Sequence, residues 1–153
     1  MKQEFLTTTS IDGKELALVS MGRVQSHDLA KEFFNFLYSD HVAIQDVHSG
    51  SASLAANPKT RLAHWEYMKN NWPTLREQLG GNMVVLDRLV RVSLSKFASR
   101  EVGKDIANFF EGKDNRGYDR SLAVVADTVS GNASYKERDE ASILEWLETK
   151  GYV

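Results

Sequence analysis

Apolar residues return every third or fourth position along most of the chain and seldom alternate with polar ones. That period predicts α-helices rather than strands. Only two prolines interrupt the pattern. We therefore predict an almost entirely helical chain.

Polar residues mark where several of these helices begin. Ser10 or Asp12 can cap the first predicted helix, which ends at Gly22. Asn82 opens a longer helix through "MVVLDRLVRVSLSKF", and Ser99 caps the next one, "REVGKDIANFFEGK". Both types of side chain accept hydrogen bonds from the free amides of a first helical turn.

The two prolines predict further boundaries. Pro58 suits the first turn of the helix "PKTRLAHWEYMKNNW". Pro73 is expected to begin a separate short segment that ends at Gly80. After the polar turn "DNRGYD", two more helices are predicted, over residues 120–138 and 140–151.

Helices of this length joined by short turns are typical of stacked helix pairs. We predict an all-α fold: an irregular superhelix of about eight or nine helices in stacked antiparallel pairs, similar to HEAT and armadillo arrays. No sequence repeat of fixed period indicates a regular solenoid. Residues 1–153 are short enough to form one helical domain.

Composition narrows the classes of partner. Nineteen basic and twenty-one acidic side chains give a net charge of −2, which provides no field for nucleic acid or an anionic membrane. Apolar runs fall far short of the roughly 20 residues of a spanning helix, so no membrane is expected. The absence of cysteine fits a reducing compartment, and we expect a cytoplasmic protein.

The tryptophan-rich helix contains a histidine and a glutamate, a pair that could suggest metal chemistry. On a helix, Trp65 shares one side with Leu62, Met68 and Trp72, which predicts a core face. His64 and Glu66 point about 160° apart and cannot share a metal. A zinc-protease helix would also need histidine where Met68 stands. We expect Trp65 to be core and a His64→Ala change to cost little.

The remaining candidates for chemistry are weaker. His41 and His48 would lie about 10 Å apart along a helix, too far to bind one ion. The sequence contains no Gly-x-Ser-x-Gly elbow, P-loop or Gly-x-Gly-x-x-Gly fingerprint. We predict no catalytic, cofactor-binding or metal-binding residue in the chain.

One helix face carries an unusual charge pattern. Arg88, Arg91 and Ser95 align on the side of their helix opposite its apolar stripe. Two arginines one turn apart repel each other unless a nearby anion neutralises their charge. The face is either a solvated surface near Asp87, or a wall that attracts a peptide's carboxylate or carbonyl groups.

Several stretches together resemble a known family: "SIDGKELALVSMGRV", "ANPKTRLAHWEYMKNNWPTL", "LDRLVRVSLSKFAS" and "LEWLETKG". They are similar to the C-terminal helical domain of zinc aminopeptidases, which include puromycin-sensitive aminopeptidase, aminopeptidase N and the fungal alanine and arginine aminopeptidases. The resemblance runs from about residue 9 to residue 152 and is closest to the fungal and puromycin-sensitive branch.

The resemblance implies a non-catalytic role. The family's His-Glu-x-x-His helix, its downstream glutamate ligand and its Gly-x-Met-Glu-Asn loop belong to an upstream domain, and none occurs in this sequence. The implied partners are that catalytic domain, which would hold the zinc, and a peptide substrate. The domain would close over the active site and enclose a peptide chamber, with Arg88 as first candidate contact and Arg91 as second.

A different class of function stays open: a free-standing helical scaffold that binds protein or peptide in a concave groove. Either reading leaves the first helix without a preceding neighbour. We therefore expect exposed apolar side chains at Leu16, Val19, Phe5 and Leu6, and self-association through that face.

Overall fold

The computed structural model describes all 153 residues and is entirely helical, with no β-strand, which confirms the predicted all-α class. A short 3-10 helix, Ile44–Asp46, leads directly into the fourth α-helix. The eight α-helices are α1 Lys2–Thr7, α2 Ile11–Met21, α3 His27–Leu37, α4 Val47–Ala56, α5 Arg61–Leu79, α6 Met83–Leu94, α7 Arg100–Phe110 and α8 Asp119–Thr149.

Three helices begin where the capping residues predict. The side chains of Ser10, Asn82 and Ser99 each accept a hydrogen bond from an amide in the first turn of α2, α6 and α7 respectively. These bonds satisfy amides that have no partner within the helix. Helix α2 also ends at Gly22, as expected.

The helices form two layers of stacked pairs. Each odd-numbered helix packs against the even-numbered helix that follows it, and α2, α4, α6 and α8 contact one another in sequence. Aromatic rings with centroids 5.3–5.4 Å apart join the odd-numbered helices in order: Phe5 with Phe36, Phe34 with Tyr67, and Trp65 with Phe109. The arrangement is the predicted superhelix of paired helices.

Helix α4 lies at the centre of the array and packs against α2, α5 and α6. Its small residues allow this close packing: Ser49, Gly50, Ser51 and Ala55 are all buried. A Cβ atom added at Gly50 would lie 2.5 Å from Leu37 Cδ1, so a larger residue there would force the buried Leu37 side chain to move. The small-residue stretch therefore sets how closely the second pair approaches its neighbours.

Two predicted helix boundaries are wrong. Pro73 does not begin a new segment; it lies inside α5, which runs without a break from Arg61 to Leu79. Trp72, Leu75 and Leu79 continue the buried face on both sides of the proline, and their packing outweighs the one hydrogen bond that proline removes. The two helices predicted after residue 119 are likewise one, α8, because no proline separates them.

The start of the chain and of α5 also differ from expectation. Helix α1 was not predicted, and its Phe5 is 2% exposed rather than open to solvent, because it packs edge-on against Phe36. Leu6 and Leu16 are exposed, as expected. Pro58 lies in the turn before α5, whose N-cap is Thr60.

Candidate functional site

Arg88 and Arg91 lie one turn apart on the exposed side of α6, opposite the buried Leu86, Leu89 and Val90. Neither guanidinium lies within ion-pair distance of a carboxylate. Asp87, the neighbour that could have neutralised them, forms no ion pair with either. The two positive charges are therefore free to meet an external anion.

Arg88 reaches across to α4, where its Nη1 lies 3.4 Å from His48 Nε2. His48 Nδ1 lies 2.6 Å from the Gln45 carbonyl oxygen, and since a carbonyl only accepts, Nδ1 carries the proton. Nε2 is then the acceptor for Arg88. This contact orients the guanidinium without neutralising its charge.

Ser95, aligned with the two arginines in the sequence, does not join them as a ligand. Its hydroxyl donates to the Arg91 carbonyl at 2.7 Å, which caps the end of α6. The Arg91 side chain makes no hydrogen bond. The site therefore contains one guanidinium oriented by His48 and a second one that is unpaired.

A groove of about 660 Å³ between α2 and α4 begins at His48. Its floor consists of small side chains on α4, including Ala52, Ser53 and Ala56. Its polar lining includes Glu15, which accepts a hydrogen bond from Ser49 at 3.2 Å. Arg88 reaches this groove only at its end, through the contact with His48.

The residues that complete this site were not predicted as partners of the arginines. His48 and Arg88 are separated by 40 positions in sequence, and only the pairing of α4 with α6 brings them together. Glu15 enters the groove from α2, and Arg23 enters it from the turn that follows α2. No local pattern in the sequence signals these contacts.

His64 does not belong to this surface. It is completely buried, and its Nε2 lies 2.8 Å from the Tyr38 hydroxyl, which in turn lies 3.0 Å from Ser51 Oγ. Burial lowers the pKa of His64 to about 3 and raises the pKa of Tyr38. The expectation that His64→Ala costs little is wrong, because the change would leave a cavity in the core and remove one of the two hydrogen-bond partners of the buried Tyr38 hydroxyl.

Trp65 is a core residue, as predicted, and is 1% exposed. Its Nε1 donates to Asp105 Oδ2 at 2.7 Å, and Lys69 Nζ lies 2.7 Å from the same oxygen. The hydrogen bond from Lys69 lowers the pKa of Asp105 below its ordinary value. These groups tie α5 to α7 and perform no chemistry.

No three histidine, aspartate or glutamate side chains lie close enough together to hold a metal ion. His41 and His48 are not on a shared helix, because α4 begins only at Val47. No helix is both long enough and apolar enough to cross a membrane.

The sequence is similar to a known domain family and to several aminopeptidases. Residues 1–131 match the model of the ERAP1-like C-terminal domain. The chain is 30% identical over 148 residues to "Aminopeptidase 2, mitochondrial" of Saccharomyces cerevisiae, covering 97% of this chain and 16% of that protein. It is 31% identical over 145 residues to "Aminopeptidase 2" of Candida albicans, covering 94% and 16%.

A third relative, the "Alanine/arginine aminopeptidase" of Saccharomyces cerevisiae, is 25% identical over 143 residues and is covered to 17% of its length. The chain belongs to the ERAP1-like C-terminal domain family, which confirms the resemblance to aminopeptidase C-terminal domains. It spans about a sixth of the length of these relatives. These 153 residues correspond to the non-catalytic C-terminal domain and carry none of the catalytic motifs.

Proposed function

We propose that this domain closes over the catalytic domain of a cytoplasmic zinc aminopeptidase and forms part of the wall of its peptide chamber. The intact protein would remove N-terminal residues from peptides. The zinc and the chemistry would belong to the catalytic domain, and this domain would contribute shape and a few basic side chains. Family membership and the names of the relatives support this proposal.

The observation that carries the proposed chamber wall is the unpaired charge of Arg88 and Arg91 on the exposed side of α6, where Arg88 contacts His48 at the end of an open groove. Arg76, Arg100, Arg116 and Arg138 each pair with a carboxylate of the chain, whereas Arg88 and Arg91 do not. A guanidinium binds a carboxylate through two parallel hydrogen bonds. Arg88, oriented by His48, would be the first contact with a peptide, and Arg91 the second.

The apolar edge of the first helix pair supports contact with another part of the intact protein. Ile11 and Leu16 are 80% and 67% exposed, whereas each pair inside the array is covered by its neighbour. In our proposal the preceding part of the enzyme packs on this edge. In the isolated chain, the same edge would be free for the expected self-association.

A chimera tests the chamber wall. The corresponding segment of Saccharomyces cerevisiae aminopeptidase 2 is replaced by this chain, and turnover is measured on peptides and on single aminoacyl fluorogenic amides. The double change Arg88→Ala and Arg91→Ala should lower kcat/KM for peptides about tenfold, the value of one or two charged hydrogen bonds. Turnover of the aminoacyl amides should not change, because they do not reach the wall.

Arg120 provides the matched control, since it is also exposed and forms no ion pair. Arg120→Ala should leave both substrates unaffected. Equal peptide turnover by the control and the double variant would reject the chamber wall. A chimera that cannot assemble at all would instead favour the free-standing scaffold, which would then bind peptide without a catalytic partner.

A further inference from the structure

The second half of α8 projects beyond the rest of the domain. The last residue of α8 that is fully buried is Ala133, and Asn132 Nδ2 next to it donates to the Ser95 and Phe97 carbonyl oxygens at 3.2 and 3.1 Å. From Ser134 to Thr149 only Asp139 and Leu147 are even partly covered. This segment of sixteen residues extends about 24 Å along the helix axis.

The projecting segment retains the apolar face that the body of the domain covers elsewhere. Ile143 and Leu147 lie five full helical turns beyond Val125 and Val129, so they point in the same direction. Val125 and Val129 are buried against the body, whereas Ile143 and the adjacent Leu144 are 44% and 49% exposed. The same apolar face of α8 is therefore buried in its first half and exposed in its second half.

Charges of opposite sign flank this bare face. Glu140, Ile143, Leu147 and Lys150 follow one another at spacings of three, four and three residues, the period of a coiled-coil seam. Glu140 and Lys150 lie at equal distances from the midpoint of Ile143 and Leu147. In a parallel pair of such helices, like charges would meet at both ends. In an antiparallel pair, each Glu140 would meet a Lys150.

We propose that two copies of this chain associate through residues 140–150, the end of α8 with its C-cap Lys150, packed antiparallel about a two-fold axis. Ile143 of each copy lies against Leu147 of the other, and Glu140 of each lies against Lys150 of the other. Every contact occurs twice by symmetry. The proposal is independent of the proposed function, because it uses neither Arg88 nor the groove beside α2.

The apolar side of the projecting half of α8 is open rather than packed against the body of the domain. A cleft of about 530 Å³ separates the projecting half of α8 from Lys96 and Ala98, and Ile143, Leu144 and Leu147 line it. Residues 134–149 contain no glycine or proline at which α8 could break and fold back onto the body. Lys136 and Glu140, one turn apart at 3.5 Å, also support a continuous helix.

Sedimentation equilibrium of the 153-residue chain tests the proposal between about 10 μM and 1 mM. A monomer–dimer equilibrium is expected. Glu140→Lys or Lys150→Glu alone should weaken dimerisation about tenfold or more, because each change creates two like-charge contacts. The double variant E140K/K150E should restore the dissociation constant to within about threefold. The control Glu145→Lys, on the opposite side of α8, should have little effect.

A disulfide assay tests the register in the same chain, which has no cysteine of its own. Oxidation of an equimolar mixture of Ile143→Cys and Leu147→Cys chains should give a crosslinked dimer faster than either variant alone. A chain that stays monomeric at about 1 mM would overturn the proposal. So would a charge swap without rescue, or dimerisation abolished by Leu16→Glu but not by E140K, which would place the contact on the N-terminal edge.

Discussion

At the scale of single residues, His64 is the group that couples stability to pH. Its pKa is about 3 in the folded domain because of burial, against about 6.5 in an unfolded chain. Below pH 6.5, His64 therefore binds a proton in the unfolded chain but not in the folded domain. As the pH is lowered from about 6.5 to about 3, the free energy of unfolding should therefore decrease by up to about 1.4 kcal/mol per pH unit.

Urea unfolding at a series of pH values measures this slope. His64→Gln retains a polar partner for the Tyr38 hydroxyl but cannot titrate, so the slope between pH 6 and about 4.5 should flatten by most of that amount. Asp105 loses its stabilising contribution only at lower pH, because its pKa is lowered rather than raised. An unaltered slope in His64→Gln would contradict the account.

Trp65 should be far more sensitive to replacement than Trp146. Its ring packs against Phe109 and Phe110, and its Nε1 binds Asp105. Trp65→Ala should cost about 3–5 kcal/mol of unfolding free energy. Trp146 is 54% exposed, so Trp146→Ala should change stability by no more than about 0.5 kcal/mol. Comparable losses for both would show that the core does not depend on Trp65.

These residues also mark what the sequence could predict. The predicted stripe of Leu62, Trp65, Met68 and Trp72 placed Trp65 correctly in the core, although Leu62 at its edge is 54% exposed. His64 lies beside the stripe, and its burial depends on Tyr38, 26 positions away. Local spacing carries no information about such a partner. For the same reason the sequence could not predict the contact between Arg88 and His48, although it did show the two neighbouring arginines.

At the scale of the helix, the position of a glycine decides the effect of adding a methyl group. Gly50 on α4 faces Leu37 and Phe33 at distances that leave no room for a Cβ atom. Gly50→Ala should therefore cost about 1–3 kcal/mol through overpacking. Gly131 on α8 has nothing within 4 Å of an added Cβ. Gly131→Ala should instead stabilise the domain by about 0.5–1 kcal/mol.

Thermal and urea unfolding of the two variants measure this difference, which has opposite signs for the same chemical change. Stabilisation by both substitutions would mean that α4 does not pack as tightly as its glycine suggests. Destabilisation by Gly131→Ala would mean that the exposed side of α8 contacts another surface. Because both variants replace glycine by alanine within a helix, the difference between them reports on the packing of α4 and α8 rather than on helix propensity.

Helix boundaries were predictable where a capping side chain sets them and less so where packing does. Ser10, Asn82 and Ser99 start helices by hydrogen bonds within their own first turns, which sequence spacing reveals. Pro73 is different, because the buried Trp72 and Leu75 hold α5 together across it. Tertiary packing of this kind overrides a local helix-breaking signal.

At the scale of the whole molecule, the fold class followed from helical period alone, while the course of α8 did not. The hydrophobic core runs from Phe5 to Val129, with Ala133 at its edge. The family match ends at residue 131, close to the same point. The two helices predicted after residue 119 form the single helix α8, because residues with high helix propensity extend the helix beyond the end of the core.

This division predicts the effect of removing the projecting segment. A chain ending at Arg138 retains the core and the ion pair between Arg100 and Glu137, so its unfolding free energy should change by less than about 1 kcal/mol. Thermal unfolding followed by circular dichroism measures this, and helical signal should fall by the share of residues 139–149. Dimerisation should be lost. A destabilisation above about 2 kcal/mol would show instead that the segment folds back onto the body, since only buried apolar contacts could account for it.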